Sequence, residues 1–129
     1  MIELLLVDDH AVVREGYRRL LERRPDLHVA AEASDAEEAL QFLRNTPIDL
    51  IVLDLSLPGM GGIELTRRIL QRFPEAKILA FSMHRDPLFA SQALRAGALG
   101  YVTKSSTPET LIQAIYKVAR NEKVLSPDI

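Results

Sequence analysis

The sequence contains no cysteine and no tryptophan, and only 5% of its 129 residues are aromatic. The absence of cysteine excludes disulfide bonds and thiolate metal ligands, and it is compatible with the cytoplasmic location that we expect. No apolar run comes close to the ~20 residues that a membrane-spanning helix requires. The opening residues Met1-Ile2-Glu3 lack the basic segment of a secretory signal. We therefore expect neither a secreted disulfide scaffold nor a membrane protein.

The sequence also lacks a strong charge of one sign. Its 16 lysine and arginine residues oppose 18 aspartate and glutamate residues, which leaves a formal net charge of −2. Binding to DNA phosphates requires a concentration of basic side chains. The basic pairs Arg18-Arg19 and Arg23-Arg24 lie among acids at helical spacing, which is typical of a solvated helix face. We expect that this segment does not bind nucleic acid by itself.

Short apolar runs alternate with longer segments of helical period along the whole chain. The length fits one domain. Five runs predict buried strands, at residues 4–7, 29–31, 50–53, 78–81 and 99–102. Five amphipathic segments between and after them predict helices, with apolar positions in 13–21, 39–43, 63–70, 88–94 and 111–119. Ser34 or Asp35 can cap the second helix, Thr107 can cap the fifth, and Gly97 can end the fourth.

This alternation predicts an α/β fold, a doubly wound (βα)5 three-layer sandwich. Strands that alternate with helices form a parallel sheet with right-handed crossovers and with helices on both faces. Such a sheet binds its ligands beyond the carboxyl ends of the strands. We therefore expect the functional residues directly after the strands.

Polar side chains follow four of the predicted strands. Asp8 and Asp9 follow the first strand, Asp54 the third, Ser82 the fourth, and Lys104 comes shortly after the fifth. A polar residue at a strand end is ordinary, so each of these alone carries little information. Three carboxylates crowded together, however, raise one another's pKa unless a cation joins them. The set predicts a cation-binding site at one edge of the sheet.

A hard divalent cation accounts for this cluster. Mg²⁺ prefers oxygen ligands, usually one or two carboxylates together with water and phosphate oxygens. An aspartate beside such an ion can act as the nucleophile toward a phosphoryl group. The ion and Lys104 would neutralise the charge on the transferred oxygens, and Ser82 would donate a hydrogen bond to the attached group. The pattern therefore indicates Mg²⁺-dependent phosphoryl transfer to an aspartate.

These positions, in their order and spacing, resemble the receiver domain of two-component response regulators. The similarity covers nearly the whole chain and is carried by Val7-Asp8-Asp9-His10, Asp54-Leu55-Ser56-Leu57-Pro58-Gly59-Met60-Gly61-Gly62, Ser82, Gly100-Tyr101 and Lys104. The resemblance implies a flavodoxin-like fold with a five-stranded parallel sheet in the order 2-1-3-4-5.

The resemblance also implies a role for each acidic position. Asp54 is implied to be the phosphoacceptor, which takes a phosphoryl group from the phosphohistidine of a sensor histidine kinase. The implied Mg²⁺ ligands are Asp9, Asp54 and the main-chain carbonyl of Ser56, with Asp8 acting directly or through water.

The remaining motif residues are implied to bind the phosphoryl group and to transmit its arrival. Lys104 matches the phosphoryl-binding lysine, and Ser82 matches the switch hydroxyl. Tyr101 matches the aromatic residue that moves inward when the hydroxyl moves toward the phosphate; it is also expected to pack against the fourth helix. The surface made by helix 4, strand 5 and helix 5 would then form a homodimer or release an output domain. The sequence leaves both open.

The chain departs from many receivers at two positions. Lys104 is followed by Ser105 rather than by the proline that forms a cis bond in many receivers. A cis bond before a non-proline residue costs about 2.5–4 kcal/mol, so we expect a trans bond or a rearranged loop. Met83 follows Ser82 in place of a small residue, and we hypothesise that its bulk shields the phosphoryl group and slows attack by water.

Three segments resemble receivers of the NarL/FixJ transcription factors, namely Ser82-Met83-His84, Lys104-Ser105-Ser106 and Val124-Leu125-Ser126-Pro127. In those proteins a linker leads to a LuxR-type helix-turn-helix domain. We therefore expect residues 1–122 to form the receiver domain and 123–129 to begin the linker toward that C-terminal domain. DNA binding and transcription regulation would belong to the domain that is absent here.

Two alternatives remain at this stage. A phosphatase of the haloacid dehalogenase type also uses an aspartyl nucleophile and Mg²⁺, but it carries a second acid two residues after the nucleophile, where this chain has Ser56. A receiver-like interaction module could act without phosphorylation. The phosphatase interpretation predicts an enzyme. The receiver interpretation predicts a protein that catalyses only its own phosphorylation and dephosphorylation.

Overall fold

The computed structural model describes residues 1–129. The chain forms one six-stranded parallel sheet that lies between two layers of helices. The strands are β1 (Ile2–Val7), β2 (Leu27–Ala33), β3 (Leu50–Asp54), β4 (Ile78–Ser82), β5 (Gly100–Thr103) and β6 (Val124–Leu125). The helices are α1 (Ala11–Leu21), α2 (Ala36–Asn45), α3 (Gly62–Arg72), α4 (Pro87–Arg95) and α5 (Pro108–Ala119). The strand order is β2-β1-β3-β4-β5-β6. No helix has both the length and the apolar character needed to cross a membrane.

The predicted α/β class and the order of the first five strands are confirmed, but the sheet has six strands rather than five. Val124 donates its backbone N–H to the carbonyl of Leu99 (3.2 Å), and Ser126 donates to that of Tyr101 (3.0 Å). These bonds add β6 to the free edge of β5. A strand of two residues has no measurable periodicity, so the sequence pattern gave no sign of it. That a linker begins at residue 123 stays a prediction.

The sheet separates two apolar cores because successive side chains of a strand point to opposite faces. Leu5 and Val7 of β1 belong to the core under α2, α3 and α4. Leu4 and Leu6 belong to the core under α1 and α5. Burial on both faces explains why the strands are continuous apolar runs rather than alternating ones.

Caps fix the ends of several helices. Of the two residues predicted to cap α2, the structure uses Asp35, whose side chain accepts from the Glu38 N–H (2.8 Å). The Glu38 side chain in turn accepts from the N–H of Ser34, the residue before the cap (2.8 Å), so the arrangement resembles a capping box displaced by one residue. Thr107 caps α5 as predicted. Gly97 follows α4 with a φ of 115°, the conformation that lets glycine end a helix.

The start of α3 lies directly against the end of β3. A Cβ atom at Gly62 would stand 2.4 Å from the Cα of Leu55 and 2.9 Å from the carbonyl oxygen of Asp54. Only glycine permits this approach, which brings the first turn of α3 beside the strand end that carries Asp54.

We predict that Gly62→Ala destabilises the fold by about 1–3 kcal/mol, because the added methyl group must displace backbone atoms. Gly16→Ala is the matched control, since Gly16 lies within α1 with no atom within 4 Å of a Cβ added there. The control is expected to gain up to about 1 kcal/mol from helix propensity. Urea unfolding followed by circular dichroism measures both. A Gly62→Ala protein as stable as wild type would contradict the close approach.

Candidate functional site

The site lies at the carboxyl edge of the sheet, where β1 and β3 run side by side. Val7 pairs with Leu53, so the following residues, Asp8 and Asp54, end neighbouring strands. Both aspartates are buried, with 5% and 3% of their surface exposed. Two carboxylates in this position need compensating charge, because burial and mutual repulsion both disfavour their ionised forms.

Lys104 supplies that charge. Its Nζ donates to Oδ2 of Asp8 (2.9 Å) and lies 3.3 Å from Oδ2 of Asp54. The lysine side chain is itself only 9% exposed, and its ammonium stands 5.5 Å from the centre of the Phe81 ring. One cation, held against an aromatic face, therefore pairs with two buried carboxylates.

The pairing shifts the pKa of both partners. Burial raises the pKa of Asp8, but hydrogen bonds from Lys104 and from the His10 backbone outweigh it and hold the pKa below its ordinary 3.8. Burial lowers the pKa of Lys104, but the hydrogen bond to Asp8 and the charges of Asp54 and Asp8 leave it above its ordinary 10.5. The pair is therefore ionised throughout the neutral range.

Asp9 and His10 complete a cluster of metal-ligating groups. One ligand atom from each of Asp8, Asp9, His10 and Asp54 lies within 4.8 Å of the others. Nδ1 of His10 is 3.2 Å from carboxylate oxygens of both Asp8 and Asp9. Three carboxylates at this spacing are the oxygen donors that Mg²⁺ prefers, so the residues present fit this ion.

The loop after β3 contacts the central carboxylate. The backbone N–H of Ser56 donates to Oδ1 of Asp54 (3.0 Å). Its carbonyl as a metal ligand stays a prediction. With Oδ1 bound by this N–H and Oδ2 beside Lys104, both oxygens of Asp54 have a defined partner.

Ser82 and Tyr101 are linked through one backbone segment. The N–H of His84 donates to Oγ of Ser82 (3.2 Å), and the hydroxyl of Tyr101 donates to the His84 carbonyl (2.6 Å). Tyr101 is fully buried, and its ring meets that of Phe89 in α4 edge-on at 6.5 Å between centroids. The expected packing against helix 4 is present, and the tyrosine lies in the inward position. Ser82 has no direct contact with the carboxylates.

Two contacts at the site have no signal in the sequence. Arg14 of α1 donates from Nη1 to the main-chain carbonyl of Asp8 and from Nε to Glu32 of β2 (2.9 Å). It therefore ties the turn that carries Asp8 to the neighbouring strand. The side chain of His10 is 63% exposed, yet its ring also contacts Asp8. Both contacts depend on side-chain reach, which spacing along the chain does not reveal.

This α/β domain, with its aspartate–lysine centre at the carboxyl edge of a parallel sheet, has the architecture that the resemblance implied for a receiver. Comparison with protein families agrees: the response regulator receiver domain matches residues 4–116. The chain belongs to this family and is the receiver domain of a two-component response regulator. Membership leaves the phosphatase alternative without support.

Curated and structural relatives agree with this assignment. The response regulator UvrY of Escherichia coli K12 is 37% identical over 129 residues, which are all of this chain and 59% of UvrY. A LuxR-family response regulator from Aurantimonas sp. SI85-9A1 superimposes with a TM-score of 0.95 at 55% identity, covering 98% of this chain and 91% of that one. The predicted similarity to NarL/FixJ-type regulators is confirmed. The chain spans about three fifths of the length of UvrY.

A third relative is RcsB. Its isolated receiver domain from Salmonella enterica serovar Typhimurium, solved with the phosphomimetic BeF₃⁻, superimposes with a TM-score of 0.90 at 27% identity and covers 98% of this chain and 94% of that one. Another structure contains two RcsB dimers bound to two parallel DNAs, with a TM-score of 0.91 at the same identity, covering 98% of this chain and 65% of that one.

The pH dependence of stability tests the lysine–carboxylate centre. Stability from the lowered pKa of Asp8 is present above its ordinary pKa and is lost as pH falls through the lowered value. Stability from the raised pKa of Lys104 is present below its ordinary pKa and is lost as pH rises through the raised value. The pair therefore contributes at constant strength between about pH 5 and pH 9.

We predict that Lys104→Met destabilises the metal-free protein by roughly 3 kcal/mol at pH 7, because two buried carboxylates lose their cation. The wild-type pair is fully ionised from about pH 5 to about pH 9, but in the variant two neighbouring buried carboxylates have lost their cation, and one of them should take up a proton above about pH 5. This protonation relieves the repulsion in the variant, so its deficit relative to wild type should shrink from pH 7 toward pH 5. Chemical denaturation across this range measures it, with the exposed Lys123→Met as control. A deficit that stays constant from pH 7 to pH 5 would count against the centre as described.

Proposed function

We propose that this domain accepts a phosphoryl group on Asp54 from the phosphohistidine of a sensor histidine kinase, in a Mg²⁺-dependent reaction. One observation carries the proposal: a buried carboxylate at the sheet edge stands beside two further carboxylates and within 3.3 Å of a buried ammonium. The three carboxylates can bind a divalent cation. The ammonium can bind the phosphoryl oxygens that the cation does not contact.

In the transfer step, a carboxylate oxygen of Asp54 forms a bond to phosphorus. The bond from phosphorus to the histidine nitrogen breaks, and its electron pair leaves on that nitrogen. Lys104 stands where it can neutralise negative charge on the transferred oxygens. Asp8, Asp9 and Asp54 would hold Mg²⁺, with the Ser56 carbonyl as the predicted further ligand; the bound ion supplies additional positive charge to the same oxygens.

The phosphorylated domain reverts when water attacks phosphorus and the aspartyl carboxylate leaves. We therefore propose that the domain catalyses only its own phosphorylation and dephosphorylation and has no other substrate. An acyl phosphate that is exposed to water hydrolyses. The lifetime of the phosphoryl group therefore depends on how well the groups around Ser82 and Met83 exclude water from it.

Phosphorylation is proposed to switch the face made by α4, β5 and α5. The new oxygens attract the hydroxyl of Ser82, which at present accepts a hydrogen bond from His84. The hydroxyl of Tyr101 donates to the backbone carbonyl of the same His84, so movement of this segment changes the hydrogen bond that holds the tyrosine. The phosphoryl group then biases an equilibrium between two packings of this face.

For the whole protein we propose a cytoplasmic transcription factor. The receiver would be joined through the segment that starts at residue 123 to a helix-turn-helix domain, and phosphorylation would promote dimerisation of the receiver. The support is the similarity to UvrY over three fifths of its length and the RcsB dimers seen on DNA.

The direct test is the intact mass after incubation with acetyl phosphate. We predict that wild type gains one phosphoryl group in Mg²⁺ and none in chelator, because the donor set requires the ion. Asp54→Asn is expected to gain nothing. Asp49→Asn is the matched control, because Asp49 binds the Glu3 N–H at the opposite edge of the sheet and should leave phosphorylation unchanged.

Failure of wild type to gain mass, from acetyl phosphate and from a panel of purified kinases alike, would contradict the proposal. Intact Mg²⁺ binding in that case would favour the alternative, an interaction module that acts without phosphorylation.

A further prediction concerns the lifetime of the phosphoryl group. Met83 directly follows the switch hydroxyl, and its side chain is exposed. Under the shielding hypothesis its replacement by alanine opens the phosphoryl group to water, so Met83→Ala should dephosphorylate severalfold faster than wild type in Mg²⁺. Leu88→Ala, which removes another exposed apolar side chain nearby, is the control and should match wild type. Mass spectrometry after removal of the donor gives the rates, and equal rates for Met83→Ala and wild type would reject the shielding hypothesis.

A further inference from the structure

The carboxylate of Asp128 binds three hydroxyl groups beside the lysine loop. Its Oδ2 accepts from Oγ1 of Thr103 (2.6 Å) and from Oγ of Ser105 (3.0 Å), and its Oδ1 accepts from Oγ of Ser126 (2.8 Å). Thr103 and Ser105 are the immediate neighbours of Lys104 in the chain. One carboxylate from the C-terminal segment thus binds the side-chain hydroxyls of the residues on both sides of the phosphoryl-binding lysine.

No proline follows the lysine to fix the conformation of its loop. The Lys104–Ser105 peptide bond is trans, one of the two outcomes expected from the sequence. On the N-terminal side of the lysine the backbone is anchored to the sheet, because the Lys104 N–H donates to the carbonyl of Ser82 in β4 (2.8 Å). Beyond it, the chain leaves the sheet and is held by a turn from Ser106 to Thr103 (3.1 Å) and by Asp128.

The segment that carries Asp128 is hydrogen-bonded to the edge of the sheet. The buried Ser126 donates its N–H to the carbonyl of Tyr101 (3.0 Å) and accepts the N–H of Thr103 at Oγ (3.2 Å). Hydroxyl donors to an ionised carboxylate form strong hydrogen bonds. Those from Thr103, Ser126 and Ser105 lower the pKa of Asp128, which keeps it ionised at neutral pH.

We propose that Asp128 is a positioning residue for phosphoryl binding, which holds Lys104 in line with Asp54 through Thr103 and Ser105. This inference rests on the proposed function. It assigns to the C-terminal segment a part in the chemistry of the site, although Asp128 itself touches neither the acceptor nor the metal ligands. By linkage, whatever moves this segment also changes the affinity of the site for a phosphoryl group.

The test compares Asp128→Asn with Glu122→Gln in the full 129-residue chain. Glu122 is a matched control because it also loses one charge, near the same segment, while its only ion pair is with Arg120 at the surface. Calorimetric titration gives the affinity for Mg²⁺ alone and then, in saturating Mg²⁺, for beryllofluoride as the phosphoryl probe. Intact mass gives the initial rate of phosphorylation by acetyl phosphate.

Asp128→Asn should bind beryllofluoride about fivefold more weakly than wild type and be phosphorylated more slowly by a similar factor. Its Mg²⁺ affinity should be unchanged, because Asp8, Asp9 and Asp54 are not touched. Glu122→Gln should equal wild type in all three measurements. A merely structural role would not separate beryllofluoride affinity from Mg²⁺ affinity.

A second variant keeps the inference testable if Asp128→Asn folds poorly. Ser105→Ala removes one exposed donor and should weaken beryllofluoride binding less than Asp128→Asn does. In the double variant the two effects should not add, since they break the same contact.

Three outcomes overturn the inference. Wild-type beryllofluoride affinity in Asp128→Asn removes the positioning role and leaves the proposed function intact. Equal losses of Mg²⁺ and beryllofluoride affinity assign a general structural role instead. Failure of wild type to bind beryllofluoride in Mg²⁺, together with its failure to be phosphorylated by acetyl phosphate and by the panel of kinases, overturns the proposed function, and this inference falls with it.

Discussion

A single ammonium group between two buried carboxylates is the interaction on which the arrangement of the site depends. Asp8 and Asp54 end adjacent parallel strands, so the fold itself forces their charges together in a place with little water. Lys104, from the loop after β5, reaches both of them. Such a centre is specific rather than strongly stabilising, because desolvation offsets much of the attraction. In the proposed function, an ammonium already directed at Asp54 would need little rearrangement when phosphoryl oxygens arrive there.

The architecture could be predicted from the sequence because the sheet is buried on both faces. Runs such as 50–53 and 78–81 have no polar position, and each is followed by a segment of helical period, which together leave few alternatives to a parallel α/β sheet. β6 could not be predicted in this way. Its two residues pair with β5 only because the chain after α5 turns back along the sheet edge, through Asn121 in a left-handed conformation (φ 64°). Tertiary pairing, not local preference, makes that strand.

The same distinction applies to the site. The meeting of Asp8, Asp9, Asp54 and Lys104 follows from strand ends that share one edge, which spacing along the sequence reveals. The contacts of Arg14 and Asp128 do not follow from it. Arg14 reaches back from α1 across a helical turn, and Asp128 comes from a segment whose position depends on β6. Long side chains and short edge strands are placed by the finished fold, so their partners become visible only in three dimensions.

The backbone around the lysine therefore joins three parts of the molecule. Through the Lys104 N–H it is bound to Ser82, through its Nζ to the carboxylates, and through its neighbours to Asp128. Tyr101 lies in the same strand, and its carbonyl holds Ser126. A change in charge at Asp54 can thus affect two sets of contacts made by β5. One is the contact of the Ser82–Tyr101 pair toward α4, and the other is the Thr103–Asp128 contact toward the C-terminal segment. Because both sets of contacts involve β5, the proposed switch at Tyr101 and the proposed support by Asp128 would be coupled, so that a ligand that fixed one would shift the equilibrium of the other.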